Sequence, residues 1–243
     1  MIRAHLATFP PRKDIMLAAV RSILGQVDRL CIVLNEYDHV PEELAGLDKL
    51  ETVIPATDMK DTGKFYFTPD RDDVIFTIDD DILYPGDYVT RTLAAAEAIG
   101  LDKAIFGYQA NAWVYKKAQG RFGWKNFMFF KELQKPFPVD IVGTGTACML
   151  GRNAPPIQAL SGSEGFVDIR FALWQQAQGN SIWALPRPDE YLGRNLPEHL
   201  QDSSLFHTVT RTFEGQIARE TRQLISNIPA RQVPDARIKK VQG

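Results

Sequence analysis

The chain has 243 residues, enough for one large domain or two small ones with a substantial core. Its hydrophobic content of 44% and charged content of 24% are ordinary for a globular protein. The net charge of −2 excludes the global positive field with which many proteins attract nucleic acid. No apolar run approaches the roughly 20 residues that span a bilayer, and no signal-peptide pattern precedes the first strand. We therefore expect a cytoplasmic protein, with peripheral contact to a membrane left open.

The first third of the chain predicts strands around one helix. Apolar runs at residues 2–9, 29–34 and 50–55 are typical of buried strands, and residues 12–25 have helical apolar spacing that stops at Gly25. This order predicts an α/β domain with a mostly parallel central sheet. Cys31 and Cys148 lie in apolar runs and are expected to be core residues without a disulfide.

An acidic triplet follows the most apolar of these strands. Residues 74–78 (VIFTI) predict a strand buried on both faces, and Asp79, Asp80 and Asp81 come directly after it. Ligands of open α/β sheets bind at the carboxyl ends of the strands. Three adjacent carboxylates repel one another, and Mg²⁺ or Mn²⁺ would relieve that repulsion. The competing interpretation is an acidic turn with solvated charges.

A polar loop at residues 56–67 (ATDMKDTGKFYF) is expected at the same edge of the sheet. Asp58 and Lys64 are the candidate binding residues, because a lysine can meet a phosphate as a point charge. Gly63 allows a tight backbone beside them. Judged alone, this loop is equally typical of a surface turn with mixed charges.

An aromatic and basic segment follows at residues 113–137, after a predicted helix at 85–99 and a strand at 103–110. We expect a hairpin or lid, in which Trp113 and Trp124 could offer flat surfaces to a sugar. A second small core would explain most of these rings equally well. The interleaved cations also leave open a surface for single-stranded nucleic acid.

The later part of the chain contributes glycines, acids and one histidine. Residues 139–150 are predicted to form a strand-like run in which Gly143 and Gly145 permit close backbone approach, with Thr144 between them.

A helix is predicted from about Asp168 to Gly179, followed by a strand at 181–185. Glu164 and Asp168 lie at its start, where helices commonly carry acids. His207 precedes a last helix, about 210–228, that we expect on the sheet, and residues 229–243 form a basic tail.

In this order, the chain resembles the nucleotide-sugar glycosyltransferases of GT-A fold, in particular the family 2-like enzymes. The resemblance spans roughly residues 2–207. It is carried by these features: Thr8 and Arg12 at the first strand, Asn35-Glu36 at the second, the Asp79–Asp81 triplet, the segment 143–146 and Asp168. The triplet in its strand context is the most specific of these.

The resemblance implies a fold and a division of labour among the residues. The fold would be a GT-A, Rossmann-like α/β sheet flanked by helices with an aromatic-rich insert. Residues 1–228 would form one domain, with a nucleotide-binding part at 1–110 and an acceptor-side part at 111–209. Nucleotide-sugar contacts would come from Thr8, Arg12, Asn35, Asp58, Lys64, Asp79 and Asp80. Asp81, with Asp79 and His207, would hold Mn²⁺ or Mg²⁺, and Gly143, Thr144, Trp113 and Trp124 would lie on the acceptor side.

The activity implied is metal-dependent transfer of a sugar from a nucleotide diphosphate, with a UDP-sugar favoured, to an acceptor hydroxyl. Asp168 corresponds to the catalytic base of inverting members. Relatives often carry two adjacent acids where this chain has Val167-Asp168, so Glu164 is a second candidate base. The acceptor stays open among a glycan, a lipid-linked sugar, a peptide or a modified base.

Two other functions remain as alternatives. A nucleotidyltransferase would share the fold and the metal carboxylates, but such enzymes carry a glycine-rich loop after the first strand, and residues 8–12 (TFPPR) contain no glycine. A non-catalytic carbohydrate- or nucleic-acid-binding module would use the aromatic insert instead. Such a module has no need of a buried strand that ends in three acids.

Overall fold

The computed structural model describes residues 1–203 and 214–228. In this part of the chain, the main sheet has eight strands, in the order β3-β2-β1-β4-β11-β6-β12-β9. The strands are β1 Ile2–Thr8, β2 Arg29–Leu34, β3 Leu50–Val53, β4 Val74–Ile78, β5 Ile82–Leu83, β6 Ala104–Gly107, β7 Ala110–Lys116, β8 Arg121–Phe127, β9 Phe137–Val139, β10 Ile141–Val142, β11 Thr146–Leu150, β12 Ser181–Ala184 and β13 Gly193–Arg194.

The main sheet is mostly parallel. Strands β3, β2, β1 and β4 run in one direction, and β6 and β12 share it. Strand β11 lies antiparallel between β4 and β6, and β9 is an antiparallel edge strand. The carboxyl ends of β1, β2 and β4 therefore meet at one edge, which we call the carboxyl edge.

Helices cover both faces of this sheet. They are α1 Lys13–Ile23, α2 Tyr88–Ile99, α3 Val167–Ala177 and α4 Glu214–Ser226. Helices α1 and α2 pack on the face that carries Leu6 and Phe76, and α3 packs on the face that carries Ile75 and Ile105. Strand β4 thus contributes to both clusters, as its unbroken apolar run predicted. The predicted α/β class, with helices flanking a mostly parallel sheet, is confirmed, and both cysteines are buried and free.

The aromatic segment contains a hairpin. Strands β7 and β8 pair in antiparallel register, and β10 joins them in a second, three-stranded sheet. The strand-like run at 139–150 is interrupted, because Thr146 N donates to Gly143 O at 3.0 Å and closes a turn. That turn sends β10 to the hairpin sheet and β11 to the main sheet.

The last helix differs from its prediction. Helix α4 packs mainly on α3 instead of directly on the sheet, since α3 already occupies that face. Arg170 donates to both carboxylate oxygens of Glu220, at 2.9 and 2.6 Å, and Leu224 reaches the core cluster. No helix in the described ranges combines the length and apolar character that crossing a membrane requires.

Candidate active site

A pocket of about 290 Å³ opens at the carboxyl edge of the sheet. Its volume lies near the lower end of the range of about 300–1,000 Å³ that small-molecule sites occupy. Seven side chains that the sequence marks as nucleotide-sugar contacts line it: Thr8, Arg12, Asn35, Asp58, Lys64, Asp79 and Asp80. Their convergence follows from the parallel order of β1, β2 and β4, which brings three strand ends together. Their binding role stays a prediction.

Asp80 is the buried anchor of the triplet. Thr8 Oγ1 donates to its Oδ2 at 2.8 Å, and Arg12 Nη1 donates to its Oδ1 at 2.7 Å. Burial raises the pKa of Asp80, although the charge of Arg12 and these hydrogen bonds oppose the rise. A buried carboxylate with two such donors is fixed in position. The alternative of a solvated acidic turn does not describe this residue, which is 3% exposed.

Lys64 pairs with the first acid of the triplet. The side chain is 4% exposed, and its Nζ donates to Asp79 Oδ1. Burial alone would lower the pKa of Lys64, but the charge of Asp79 and their hydrogen bond outweigh burial and raise it. A Cβ on Gly145 would collide with the carboxylate of Asp79, so only glycine lets the two segments approach this closely. Lys64 is therefore a buried cation that holds Asp79 in place.

A second contact of Lys64, with Thr144, connects it to Asp168, the predicted base. Its Nζ lies 3.4 Å from Thr144 Oγ1, and Thr144 donates to Asp168 Oδ1 through both its N–H and its hydroxyl, each at 2.8 Å. Burial raises the pKa of Asp168, with Lys64 and the two Thr144 donors opposing. Asp79, Lys64, Thr144 and Asp168 thus form one polar chain, which joins the acidic triplet to the start of α3.

Asp61 lies in the predicted polar loop at residues 56–67, where the sequence indicates no role for it. Its carboxylate accepts hydrogen bonds from Gly165 N at 2.5 Å and Val167 N at 3.2 Å, and so caps the first turn of α3. Burial, with a contribution from the nearby Asp168, raises the pKa of Asp61 to about 6 against the opposing charge of Lys64. No local signal marks a helix cap that lies about a hundred residues upstream of its helix.

Asp81 carries negative charge that the protein compensates only in part. Arg12 Nη1 donates to Asp81 Oδ2 at 3.4 Å, a longer contact than the 2.7 Å bond to Asp80. Burial and the charges of Asp79 and Asp80 raise the pKa of Asp81 to about 7, against Arg12 and Lys64. Within residues 1–203 and 214–228, no group of three or more His, Cys, Asp or Glu side chains is arranged to hold a metal ion.

Asn35 and Asp58 shape the rim of the pocket. Asn35 Oδ1 accepts from Met59 N at 2.9 Å, and its Nδ2 donates to Lys60 O at 3.2 Å. Asp58 Oδ1 accepts from Lys60 N at 2.8 Å. The two Asn35 bonds tie the loop to the end of β2, and the Asp58 bond closes a turn within the loop.

The remaining predicted residues either do not line the pocket or lie outside the described chain. Gly143 packs against the side chain of Gln109, and Glu164 accepts from the backbone of Gly162 at 3.1 Å. Trp113 and Trp124 face each other across the hairpin and are not among the residues that line the pocket. His207 and the basic tail at 229–243 lie outside the described residues.

The chain is similar in shape to solved structures, but the comparisons with known proteins do not assign it to a family. No protein-family model and no curated protein matches the chain. The crystal structure of a 4-diphosphocytidyl-2C-methyl-D-erythritol synthase is 13% identical over 92% of this chain and 98% of that one, with a TM-score of 0.46. Residues 1–349 of S. aureus TarS are 11% identical over 94% of this chain and 81% of that one, with a TM-score of 0.44. Similarity at this level assigns neither a family nor an activity.

Proposed function

We propose that this protein is a metal-dependent glycosyltransferase that moves a sugar from a nucleotide-diphosphate donor, a UDP-sugar, to an acceptor hydroxyl with inversion. The observation that carries the proposal is the polar chain from Asp79 through Lys64 and Thr144 to Asp168. It connects Asp79, a carboxylate of the pocket wall that could bind a divalent ion, with Asp168, a carboxylate that could take a proton.

The acidic triplet fits Mg²⁺ or Mn²⁺ held together with a diphosphate. Such ions are commonly bound by one or two carboxylates, with substrate phosphates and water completing the shell. Asp79 and Asp81 would supply the carboxylates, because Asp80 is fully engaged by Thr8 and Arg12. Burial, together with the charges of Asp79 and Asp80, raises the pKa of Asp81, and a bound cation would favour its charged form. When bound, the ion would stabilise charge on the departing diphosphate as a Lewis acid.

In this proposal Asp168 acts as the general base. Thr144 fixes its Oδ1 with two hydrogen bonds, and in the described part of the chain its Oδ2 accepts none. Burial, which raises the pKa of this carboxyl, makes it a better proton acceptor. An acceptor hydroxyl that donates to Oδ2 could lose its proton as it attacks the anomeric carbon from the side opposite the diphosphate.

The test measures donor binding and hydrolysis with a panel of nucleotide diphosphates and nucleotide sugars, with and without Mn²⁺. We expect one nucleotide to raise the melting temperature in a Mn²⁺-dependent manner, because a ligand that binds only the folded state stabilises it. Asp81→Asn should abolish that dependence. A wild-type protein that binds no nucleotide, or an Asp81→Asn variant with full turnover, contradicts the proposal.

Adding nucleoside triphosphates and carbohydrates to this panel separates the two alternative functions. Release of pyrophosphate from a nucleoside triphosphate would identify a nucleotidyltransferase. Carbohydrate binding that persists unchanged in Asp81→Asn and Asp168→Asn, with no turnover in the wild type, would identify a binding module.

A further inference from the structure

The outer face of the aromatic hairpin, residues 110–127, carries a continuous patch of rings. Alternation along β7 turns Ala110, Ala112 and Val114 into the core, so the residues between them face the other way. On that outer face, Trp113 lies opposite Trp124 and Tyr115 lies opposite Phe122. The centroids are 5.2 Å apart in both pairs, and Trp113 stacks on Phe122 at 6.5 Å. The four rings form one apolar surface.

The tip of this hairpin is exposed and positively charged. Residues 117–122 are all exposed, and Phe122, the outermost ring, is 41% exposed. Lys116, Lys117 and Arg121 form no ion pair with any residue in the described ranges. Lys125 differs, because its Nζ lies over the rings of Phe127 and Phe137. Three cations at the tip are therefore available to a partner.

The charge of this segment contrasts with that of the whole chain. Residues 111–137 contain six lysines and arginines and one acid, Glu132, while the chain has a net charge of −2. Surface cations are normally interspersed with acids. This concentration of positive charge beside a patch of rings, of which Phe122 is exposed, indicates a partner that is both anionic and able to accept apolar side chains.

We propose that the aromatic hairpin docks on a lipid bilayer with anionic head groups. Tryptophan, tyrosine and phenylalanine insert at the head-group level, where an apolar ring meets a wet polar layer, and lysine and arginine meet the lipid phosphates. The ring geometry favours lipid over single-stranded nucleic acid. Trp113–Trp124 and Tyr115–Phe122 pack edge to face at 68° and 63°, so that in each pair the edge of one ring covers a face of the other and fewer faces remain for bases to stack on.

The experiment is co-sedimentation of the full chain with vesicles of phosphatidylcholine alone and of phosphatidylcholine mixed with phosphatidylserine. We expect binding to the mixed vesicles only, weakening as salt increases. The triple variant Lys116→Gln, Lys117→Gln, Arg121→Gln should bind roughly a hundredfold more weakly, since each cation near an anionic surface contributes a factor of about five. Phe122→Ser should also weaken binding, but without changing its dependence on salt.

The matched control is the triple variant Arg71→Gln, Lys103→Gln, Arg222→Gln, which removes three exposed cations from other surfaces. It should bind the mixed vesicles as the wild type does. The proposal would be overturned if both triple variants lost vesicle binding equally. It would also be overturned if the wild type bound vesicles equally with and without phosphatidylserine. Complete displacement from the vesicles by single-stranded oligonucleotide at equal charge would overturn it as well. Nucleotide binding in the hairpin variant should match the wild type, which separates this proposal from the proposed enzymatic function.

Discussion

The carboxyl edge of the sheet and the aromatic hairpin both contain several charged side chains. The cations are buried and paired at the carboxyl edge, whereas at the tip of the hairpin they are unpaired within the described ranges. At the carboxyl edge, Arg12 and Lys64 are buried and each is paired with an acid of the triplet. At the hairpin tip, Lys116 and Arg121 have no acidic partner in the described part of the chain. Buried, paired charges fix the geometry of neighbouring groups, whereas exposed, unpaired charges remain free for a partner. The first arrangement suits chemistry and the second suits association.

The largest effect should come from the predicted base. Asp168→Asn keeps an oxygen for the Thr144 hydrogen bonds but removes proton uptake, so we expect turnover to fall about 10²- to 10⁴-fold. Steady-state transfer assays measure the loss, and calorimetric titration should give unchanged donor affinity. If Glu164→Gln shows the loss and Asp168→Asn does not, Glu164 is the base.

Breaking the buried pair should cost folding stability. Lys64→Met leaves Asp79 without its cation, and we expect the free energy of unfolding to fall by about 2–3 kcal/mol. This lies below the 3–5 kcal/mol of fully buried pairs, because 36% of the Asp79 side chain is exposed. Urea denaturation measures it. The matched control, Lys13→Met, breaks the exposed Lys13–Glu43 pair and should leave stability unchanged. Equal effects of the two substitutions would show that burial does not distinguish these charges.

Lowering the pH should destabilise the protein through His5, a buried histidine of β1. His5 Nδ1 donates to Lys64 O at 3.0 Å, and its buried Nε2 has no hydrogen-bond partner among the described residues. Burial lowers the pKa of His5 from 6.5 to about 4, with the Lys64 carbonyl opposing and nearby Arg3, Glu51 and Asp73 adding smaller effects. Because the folded pKa is the lower one, this stability is present above pH 6.5 and is lost as the pH falls toward 4.

We expect His5 to account for a loss of about 2–3 kcal/mol between pH 7.5 and pH 4.5. Urea denaturation of the wild type and His5→Gln at both pH values isolates this contribution. The comparison is needed because Asp61, whose pKa is raised, acts in the opposite direction as the pH falls through 6. An identical pH dependence in both proteins would contradict the assignment.

The smallest effect should come from the hairpin. Phe122→Ala removes a ring that is 41% exposed, and we expect less than about 1 kcal/mol of lost stability. Phe171→Ala, at a fully buried ring of α3, should cost about 3–5 kcal/mol in the same urea titration. A large cost at Phe122 would mean that the outer rings serve the fold, which would weaken the contrast between the two regions.

The sequence by itself determined most of the elements. The apolar runs of β1, β2 and β4 and the spacing in α1 and α3 predicted these elements closely, because burial imposes a local period on strands and helices. The position of the acidic triplet at the end of a doubly buried strand was likewise readable. Those features depend only on neighbours along the chain.

The tertiary structure alone decided which side chains meet. The loop containing Lys64 read equally well as a surface turn, yet the lysine is buried against Asp79. Asp61 caps a helix about a hundred residues later, and Thr144 connects Lys64 to Asp168. Strand order and register create these contacts by bringing distant segments to one edge of the sheet. Local periodicity does not encode that order, so it could not reveal the polar chain on which the proposed chemistry depends.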